Sequence, residues 1–435
     1  MKPLRSRAWG ACVVLSIGFS SWGWAAAGGA AEQGSPGHSS LSLRDAIALA
    51  TQHNPAIAAF DFQSEVARQQ AALQAQSIGT IVEVELENVA GSGAVAGVRA
   101  MEATLQLSHV VELGGKVQRR REFGNEKVAQ LDAVQRAGRA DLLAEVARRF
   151  VHVLADQEQL KATDRAGLLA LQARDVVQER IRAGAASPVL LSRAEITLAR
   201  SRIEQEHAEH ELASSRVALT SLWGDLEGRI GAVRGELFSL PALEPLATYS
   251  QRLVENPDLL KFAAENRVLD ARLRLAEAQR RPNVTLRAGV RHLEGLNDQA
   301  LVAGFAIPVG ASRRARPELL SVQAEREQLR LSERARTWEL QATLFALYQE
   351  ALHARTEAQA LQNEVRPQAD NMLKTSDAGY RAGRFSFLEL ADAQRQLLEI
   401  ERDAIRAAAE FHTNLIEIER VTGVAVHALA ERGTP

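Results

Sequence analysis

Two very long stretches of this chain keep apolar residues alternately three and four positions apart. In the first, Leu143, Val146, Phe150, Val153, Gln157 and Leu160 mark the stripe. In the second it runs through Leu340, Leu344, Leu347, Ala351, Ala354, Ala358, Leu361 and Val365. A repeat near 3.5 residues holds one seam of an α-helix against a partner, and alanines on the seam let the axes approach closely. The spacing predicts helices from about Lys116 to Ile181 and from Ser312 to Tyr380. At ~1.5 Å per residue each would reach ~100 Å. Pro367 falls inside the second and should kink it by removing a backbone donor. Shorter helical patterns flank each rod: Leu43 to Ser77 and Pro188 to Trp223, then Ala247 to Gln279 and Ser386 to Thr422. Each such pair, stacked end to end, matches its rod in length. Ordinary globular helices average about 11 or 12 residues, so these lengths argue against a compact globule.

The chain is a duplication. Asn54-Pro55 recurs as Asn256-Pro257, Ala75-Gln76 as Ala278-Gln279, and Arg182-Ala183-Gly184 as Arg381-Ala382-Gly383. Ordered landmarks at a nearly constant offset of about two hundred residues mean two copies of one unit. The expected organisation is a first repeat over 41–223, an irregular Gly/Pro-rich connector over 224–246, a second repeat over 247–423, and a tail over 424–435. Within each repeat a chain reversal joins the rod to its last helix, at residues 182–188 and 381–387.

Between the first helix and the rod of each copy the period changes from helical to two. Val82, Val84 and Leu86 alternate with Glu83, Glu85 and Glu87, and Leu105 and Leu107 alternate with Thr104, Gln106 and Ser108. In the second copy Val284, Leu286, Ala288 and Val290 alternate with Thr285, Arg287, Gly289 and Arg291. Leu301, Ala303, Phe305 and Ile307 complete the set. A strand sends successive side chains to opposite faces, so the segments within 80–110 and 283–309 have one greasy and one polar side. That is the rhythm of membrane-spanning β-strands, with Glu83, Glu85, Glu87, Arg287 and Arg291 toward a pore. Two amphipathic hairpins on a soluble core would alternate in the same way. Four strands are too few to close a barrel, which begins at about eight, and open edges cannot face lipid. In a membrane the barrel must be shared among several chains.

Composition narrows the class further. The 52 basic and 54 acidic residues give a net charge of −2 without basic clustering that would suit nucleic acid. Lys2, Arg5 and Arg7 precede an apolar run from Ala8 to Ala27 that ends in three alanines, the pattern of a signal peptide over 1–27. A flexible segment over 28–40 is expected to follow. Removing residues 1–27 leaves 49 basic against 54 acidic residues, a net −5. Cys12, the one cysteine, leaves with the leader, so the mature chain has no disulfide, thiol nucleophile or thiolate ligand. No later stretch has the roughly 20 apolar residues of a membrane helix.

On the duplicated plan, the two Asn-Pro pairs, Pro367, Tyr380-Arg-Ala-Gly383 and Phe387-Leu-Glu-Leu-Ala-Asp-Ala-Gln394, the mature chain resembles the TolC-like outer membrane factors of Gram-negative bacteria. Glu112-Leu-Gly-Gly-Lys116 resembles the branch that serves cobalt–zinc–cadmium exporters. The resemblance implies a mostly α fold with a small transmembrane β part: a homotrimer whose four strands per protomer make a 12-stranded barrel in outer membrane lipid, above a periplasmic α-barrel. It implies a passive channel of a tripartite efflux system, exporting divalent heavy-metal ions, with a periplasmic membrane-fusion adaptor and, through it, an inner-membrane RND pump as partners. The same architecture would serve export of organic compounds or proteins, and an exported rod could act as a non-conducting scaffold. The two reversals would be the tips that meet the adaptor, through Arg182, Gly184, Ser187, Pro188, Tyr380, Arg381, Gly383 and Phe387. Family gate positions fall on Glu389 and Asp392, where like charges around a threefold axis would raise one another's pKa. A basic family position falls on Phe385, beside Arg384, and the first repeat has Leu190 and Arg193 where the second has the two acids.

No P-loop, GxSxG or HExxH occurs, so neither ATP use nor hydrolysis is expected, and no cofactor. His207 and His210 in Glu204-Gln-Glu-His-Ala-Glu-His-Glu211 share a helical face that could touch a soft divalent ion. A solvated coiled-coil surface explains them as well, and no third ligand is indicated.

Overall fold

The computed structural model describes residues 40–424. The expected leader, nearly all of the 28–40 segment and all but the first residue of the tail lie outside the described residues. In chain order the elements are α1 (Leu43–His53), α2 (Pro55–Gln74), β1 (Ile81–Glu87), β2 (Glu102–Val111), α3 (Lys116–Arg182) and α4 (Pro188–Thr220). The second copy follows with α5 (Leu246–Arg252), α6 (Pro257–Ala278), β3 (Val284–Leu293), β4 (Asp298–Ala306), α7 (Ala311–Ala360), α8 (Arg366–Arg381) and α9 (Phe387–Thr422). Among the described residues no helix is long and apolar enough to cross a membrane.

The helix predicted from Leu43 to Ser77 is two helices, and the repeated Asn-Pro pair is the reason. Proline disfavours a helical conformation in the residue before it and fits the first turn of the helix it opens. Asn54 takes an extended backbone, and its Oδ1 caps α2 by accepting from the Ala56 N–H at 2.9 Å. Its Nδ2 donates to the Leu222 carbonyl just beyond α4, at 2.8 Å. The second joint repeats the first: Asn256 Oδ1 accepts from Asp258 and Leu259 N–H at 2.8 and 3.0 Å, and its Nδ2 donates to Val421 O at 2.7 Å. One amide therefore splices the start of one short helix to the end of the other, alongside the rod. Asn256 is 0% exposed, so its bonds are made without competing water.

Asp258, one turn into α6, gathers Lys261 (2.6 Å), Arg336 (3.1 Å) and Arg420 (3.3 Å) at the same joint. Burial raises the Asp258 pKa, but Lys261, Arg420 and Arg336 outweigh it and hold the carboxyl at about 2.

The first rod, α3, is 67 residues long and uninterrupted, and it buries Val146, Phe150 and Val153 of the predicted stripe. The second rod departs from the expected simple kink. After α7 the helix widens into a single π turn, Leu361–Val365, and α8 starts immediately, with Pro367 in its first turn. The wider turn makes room for the ring, and the Arg366 N–H bonds Leu361 O across it. It also rotates the seam: Ala351, Ala354 and Ala358 are buried, whereas Val365 is 39% exposed.

The connector wraps the rods at the level of the joints. Leu41 pairs with it through Leu41 N–H to Ala232 O (3.1 Å) and Arg234 N–H to Leu41 O (2.9 Å). Gln157, the one polar member of the first stripe, binds both the N–H and the carbonyl of Val233, at 2.7 and 3.1 Å, as a strand would. His412 on α9 bonds Leu237 O at 2.9 Å, and its burial keeps the imidazole below its usual pKa, neutral at pH 7.

Replacing Asn256 with Ala removes a cap, worth about 1 kcal/mol, and strands a buried carbonyl, worth a further 1–3 kcal/mol or so. Asn54→Ala should cost less, because its site is only part-buried. Asp258 contributes stability that is present above its unfolded pKa near 3.8 and lost as pH falls toward 2. A shift of that size is worth about 2 kcal/mol at neutral pH. Thermal melts of N54A, N256A and D258N in detergent between pH 2 and 7 check the order and the window. A D258N protein as stable as wild type at pH 7 would contradict this account.

Candidate functional site: the sheet and the helical tips

The four strands form one antiparallel sheet in the order β1-β2-β3-β4. Val84 pairs with Leu105, Leu105 with Val290, and Val290 with Leu301, so the apolar stripes of all four strands lie on one side. That side is open: Val82, Val84, Leu86, Leu105, Leu107, Leu286, Leu301 and Phe305 are all exposed. Among the described residues none covers it. Both edge strands also leave their outer backbone groups without a strand partner among the described residues.

The other side is polar and knit together. Arg291 reaches Glu87 (3.1 Å) and Glu102 (2.6 Å) and bonds Thr104 Oγ1 at 3.0 Å. Gln106 donates to Glu83 at 3.0 Å. Glu85, opposite Thr104, and Arg287, opposite Ser108, make no ion pair among the described residues. Gly289 sits beneath this network where β2 passes closest; a Cβ there would stand 2.4 Å from Leu105 O and 2.6 Å from Gln106 Cβ. Sequence pattern marked Gly289 only as a polar-side position. Its need for close approach becomes visible in the register alone.

Glu112 of the Glu-Leu-Gly-Gly-Lys stretch turns β2 into α3. It holds Arg120 by two bonds of 2.7 and 2.8 Å, and Arg120 in turn donates to Gln74 O and Gln76 O, capping the end of α2. Lys116 crosses to Asn283 at the foot of β3, at 2.5 Å. The motif therefore clamps the junction of helix, strand and rod, a role that sequence reasoning did not find.

At the far end of the rods the two reversals are copies of one turn. Gly184 and Gly383 have φ of +73° and +75°. Ala185 N–H bonds Arg180 O, and Arg384 N–H bonds Gly379 O, each at 2.8 Å. This left-handed closure satisfies the last helical carbonyls and favours glycine. Arg182, Gly184, Ser187, Pro188, Arg381 and Gly383 are exposed there, with Arg381 paired to Asp377 at 2.8 Å. Tyr380 and Phe387 correct the expectation for the tips: they are 2% and 3% exposed and turn inward. Their rings meet edge to face at 6.0 Å, and the Arg180 guanidinium lies 4.8 Å over Tyr380 while donating to its carbonyl. They brace the tip from inside.

The expected gate residues share the exposed start of α9 and the turn before it. Glu389 forms a capping box with Ser386, whose N–H it accepts at 2.6 Å. Within the protomer, hydrogen bonds from Ser386 hold the Glu389 carboxyl below its ordinary pKa. Asp392 is tied to Arg395 and, at 2.7 Å, to Gln396. Arg384 and Phe385 are exposed beside them, and Arg193 stands apart on α4. His207 and His210 are exposed and pair separately, with Glu211 (3.2 Å) and Glu206 (3.8 Å). Among the described residues no group of three or more His, Cys, Asp or Glu is arranged to hold a metal ion.

An open sheet with a greasy outer side, carried on two rods of ~100 Å, leaves both an apolar face and two strand edges without partners among the described residues. The chain belongs to the outer membrane efflux protein family, whose model matches residues 46–225 and 248–424. It is 29% identical over 325 residues to the cobalt-zinc-cadmium resistance protein CzcC of Cupriavidus metallidurans, covering 74% of this chain and 77% of that protein. To the nickel-cobalt-cadmium resistance protein NccC of Alcaligenes xylosoxydans xylosoxydans it is 22% identical, over 50% of this chain and 49% of that protein. The crystal structure of the outer membrane protein VceC of Vibrio cholerae superposes with a TM-score of 0.71 at 17% identity, over 88% of this chain and 96% of that one. The family consists of outer membrane efflux channels, not enzymes, so the TolC-like fold expected from sequence holds.

Gly289→Val should separate β2 from β3 and abolish the heat-modifiable, membrane-inserted form, whereas Gly304→Val, with open space at its Cβ, should be tolerated. Outer membrane fractionation of both variants checks this. Equal insertion of the two would show that close approach at residue 289 is not required.

Proposed function

We propose that three copies of this chain form a passive channel across the outer membrane and periplasm, through which a tripartite system exports divalent heavy-metal ions. The observation that carries the channel reading is the open sheet: its apolar side suits lipid, and its edges can be satisfied only by further strands. Three copies supply twelve strands, within the range of membrane barrels. The helices support the same assembly. Val189, Ile196 and Ile203 on α4, and Leu331, Trp338 and Phe345 on α7, recur every seven residues and are all exposed. Heptad stripes of this kind are coiled-coil seams awaiting a partner helix.

The ion reading rests on the polar side and on the metal-resistance relatives. Glu83, Glu85, Glu87, Glu102 and Asp298 share this side with Arg287 and Arg291, an excess of three negative charges per protomer. A ring of such charge favours cations without binding them tightly. The exposed tips at Gly184 and Gly383 are the proposed docking points for a periplasmic adaptor, which links the channel to an inner-membrane pump.

In planar bilayers the protein should give discrete, cation-preferring conductance, and Glu83→Gln with Glu85→Gln should move the reversal potential in a salt gradient toward the unselective value. Ile196→Glu with Ile203→Glu should reduce the trimer to monomer by size exclusion in detergent. A strain lacking the gene should lose growth on zinc, cobalt, cadmium or nickel and regain it on complementation. Absence of any conductance would sink the channel; sensitivity confined to organic compounds would sink the metal cargo alone.

A further inference from the structure

Six exposed arginines gather at the foot of the sheet: Arg280 and Arg281 between α6 and β3, Arg313, Arg314 and Arg316 at the start of α7, and Arg121 in α3. Strand pairing explains why these segments meet. Val111 pairs with Val284 and Thr285 with Ala306, so the ends of β2, β3 and β4 stand side by side. Neighbouring arginines find carboxylates: Arg119 pairs with Glu122, Arg120 with Glu112, and Arg272 with Glu318 and Glu325. Among the described residues none of the six makes an ion pair. No acid occurs between Gln279 and Val284 or between Ile307 and Pro317. Cations in a first turn oppose the helix dipole, so Arg313 and Arg314 do nothing for α7 itself.

The arginines lie where the apolar band ends. Arg314 donates to the carbonyl of Val309 at 3.4 Å, and Val309 is 89% exposed. Arg281 packs against Gly114, so near that a Cβ on the glycine would lie 3.0 Å from its side chain; the adjoining Leu113 is exposed. Greasy residues for acyl chains, then uncompensated guanidinium groups one step below, match the order of a lipid leaflet from tail to phosphate. Guanidinium binds phosphate through two parallel hydrogen bonds, and a row of cations at headgroup depth selects net-negative lipids over zwitterionic ones.

We propose that this foot is a binding surface for anionic glycerophospholipid headgroups of the leaflet facing the rods, an inference that rests on the outer membrane reading above. The full chain in detergent is titrated with dioctanoyl phosphatidylglycerol, dioctanoyl phosphatidylcholine or inorganic phosphate, and retained lipids are counted by native mass spectrometry. Wild type should retain phosphatidylglycerol about tenfold better than phosphatidylcholine, less so at high salt. R280Q/R313Q/R316Q should lose that preference while keeping phosphatidylcholine retention and single-channel conductance, and R280K/R313K/R316K should restore it. Equal retention of the two lipids by wild type overturns the proposal, as does a preference surviving in the glutamine variant. Displacement by millimolar inorganic phosphate also overturns it, marking a free-anion site instead. A changed conductance with lipid preference intact would place the arginines in the pore. Failure to insert or to retain either lipid removes the channel reading as well; conductance without lipid preference removes this inference alone.

Discussion

A four-stranded antiparallel sheet that shows Val, Leu and Phe on one side and carboxylates on the other has no stable home in a lone protomer. In water the apolar side is costly, and in lipid the unpaired backbone of β1 and β4 is costlier still. Further strands resolve both problems at once. The rest of the molecule serves that condition. The Glu112–Arg120 clamp and the Lys116–Asn283 bond fix where rods and short helices leave the feet of the strands, so strand spacing and helix spacing are set together. The exposed heptad stripes on α4 and α7 repeat the demand in the helical part: they too are half of a contact.

Duplication makes the wall nearly symmetric within one chain, and the departures from symmetry fall in the second copy. The twin asparagine joints share a cap and a carbonyl bond, and the twin glycine reversals share the same left-handed closure. The π turn has no counterpart in α3. Just past it, Arg366 reaches Glu401 of α9 at 3.3 Å, and Arg165 of α3 bonds the same carboxylate. Burial pushes the Glu401 carboxyl above its ordinary pKa, and the two arginines only partly offset this. A carboxylate kept in such surroundings ties three helices together near the tips at a cost in stability, as buried ion pairs commonly do. The second hairpin is thus held by contacts the first lacks.

The rods, the duplication and the sheet with its two faces were legible because each is a periodicity, and periodicity survives without knowledge of neighbours. What escaped depends on contacts distant in sequence. Asn54 and Asn256 were visible as repeats, but their carbonyl partners lie 168 and 165 residues away. Gly289 matters because of Leu105 and Gln106 on another strand. Tyr380 and Phe387 were placed at the docking tips by resemblance, yet the packing of two aromatics and Arg180 draws them inside. Val365 fitted the seam perfectly until the π turn added its extra residue. The gate acids were placed by resemblance, and their local partners, Ser386, Arg395 and Gln396, give them cap and surface roles in the protomer that sequence spacing could not reveal.

The chemistry of the polar side suits passage better than capture. Several of the charges there are partly spent: Arg291 is shared by Glu87 and Glu102, and Glu83 is occupied by Gln106. What remains for a passing ion is a diffuse negative field from the uncompensated carboxylates. A conduit needs this, because a site deep enough to strip water from a divalent cation would also hold it, and flux requires release as much as entry. On the metal-export reading proposed above, selection among metals would fall to the proteins that load the channel, with the channel contributing sign and path. On this view the arginines at the foot of the sheet do not compete with the cation path: they lie at the strand ends, where the apolar band gives way to polar surface, and their charge meets the headgroups.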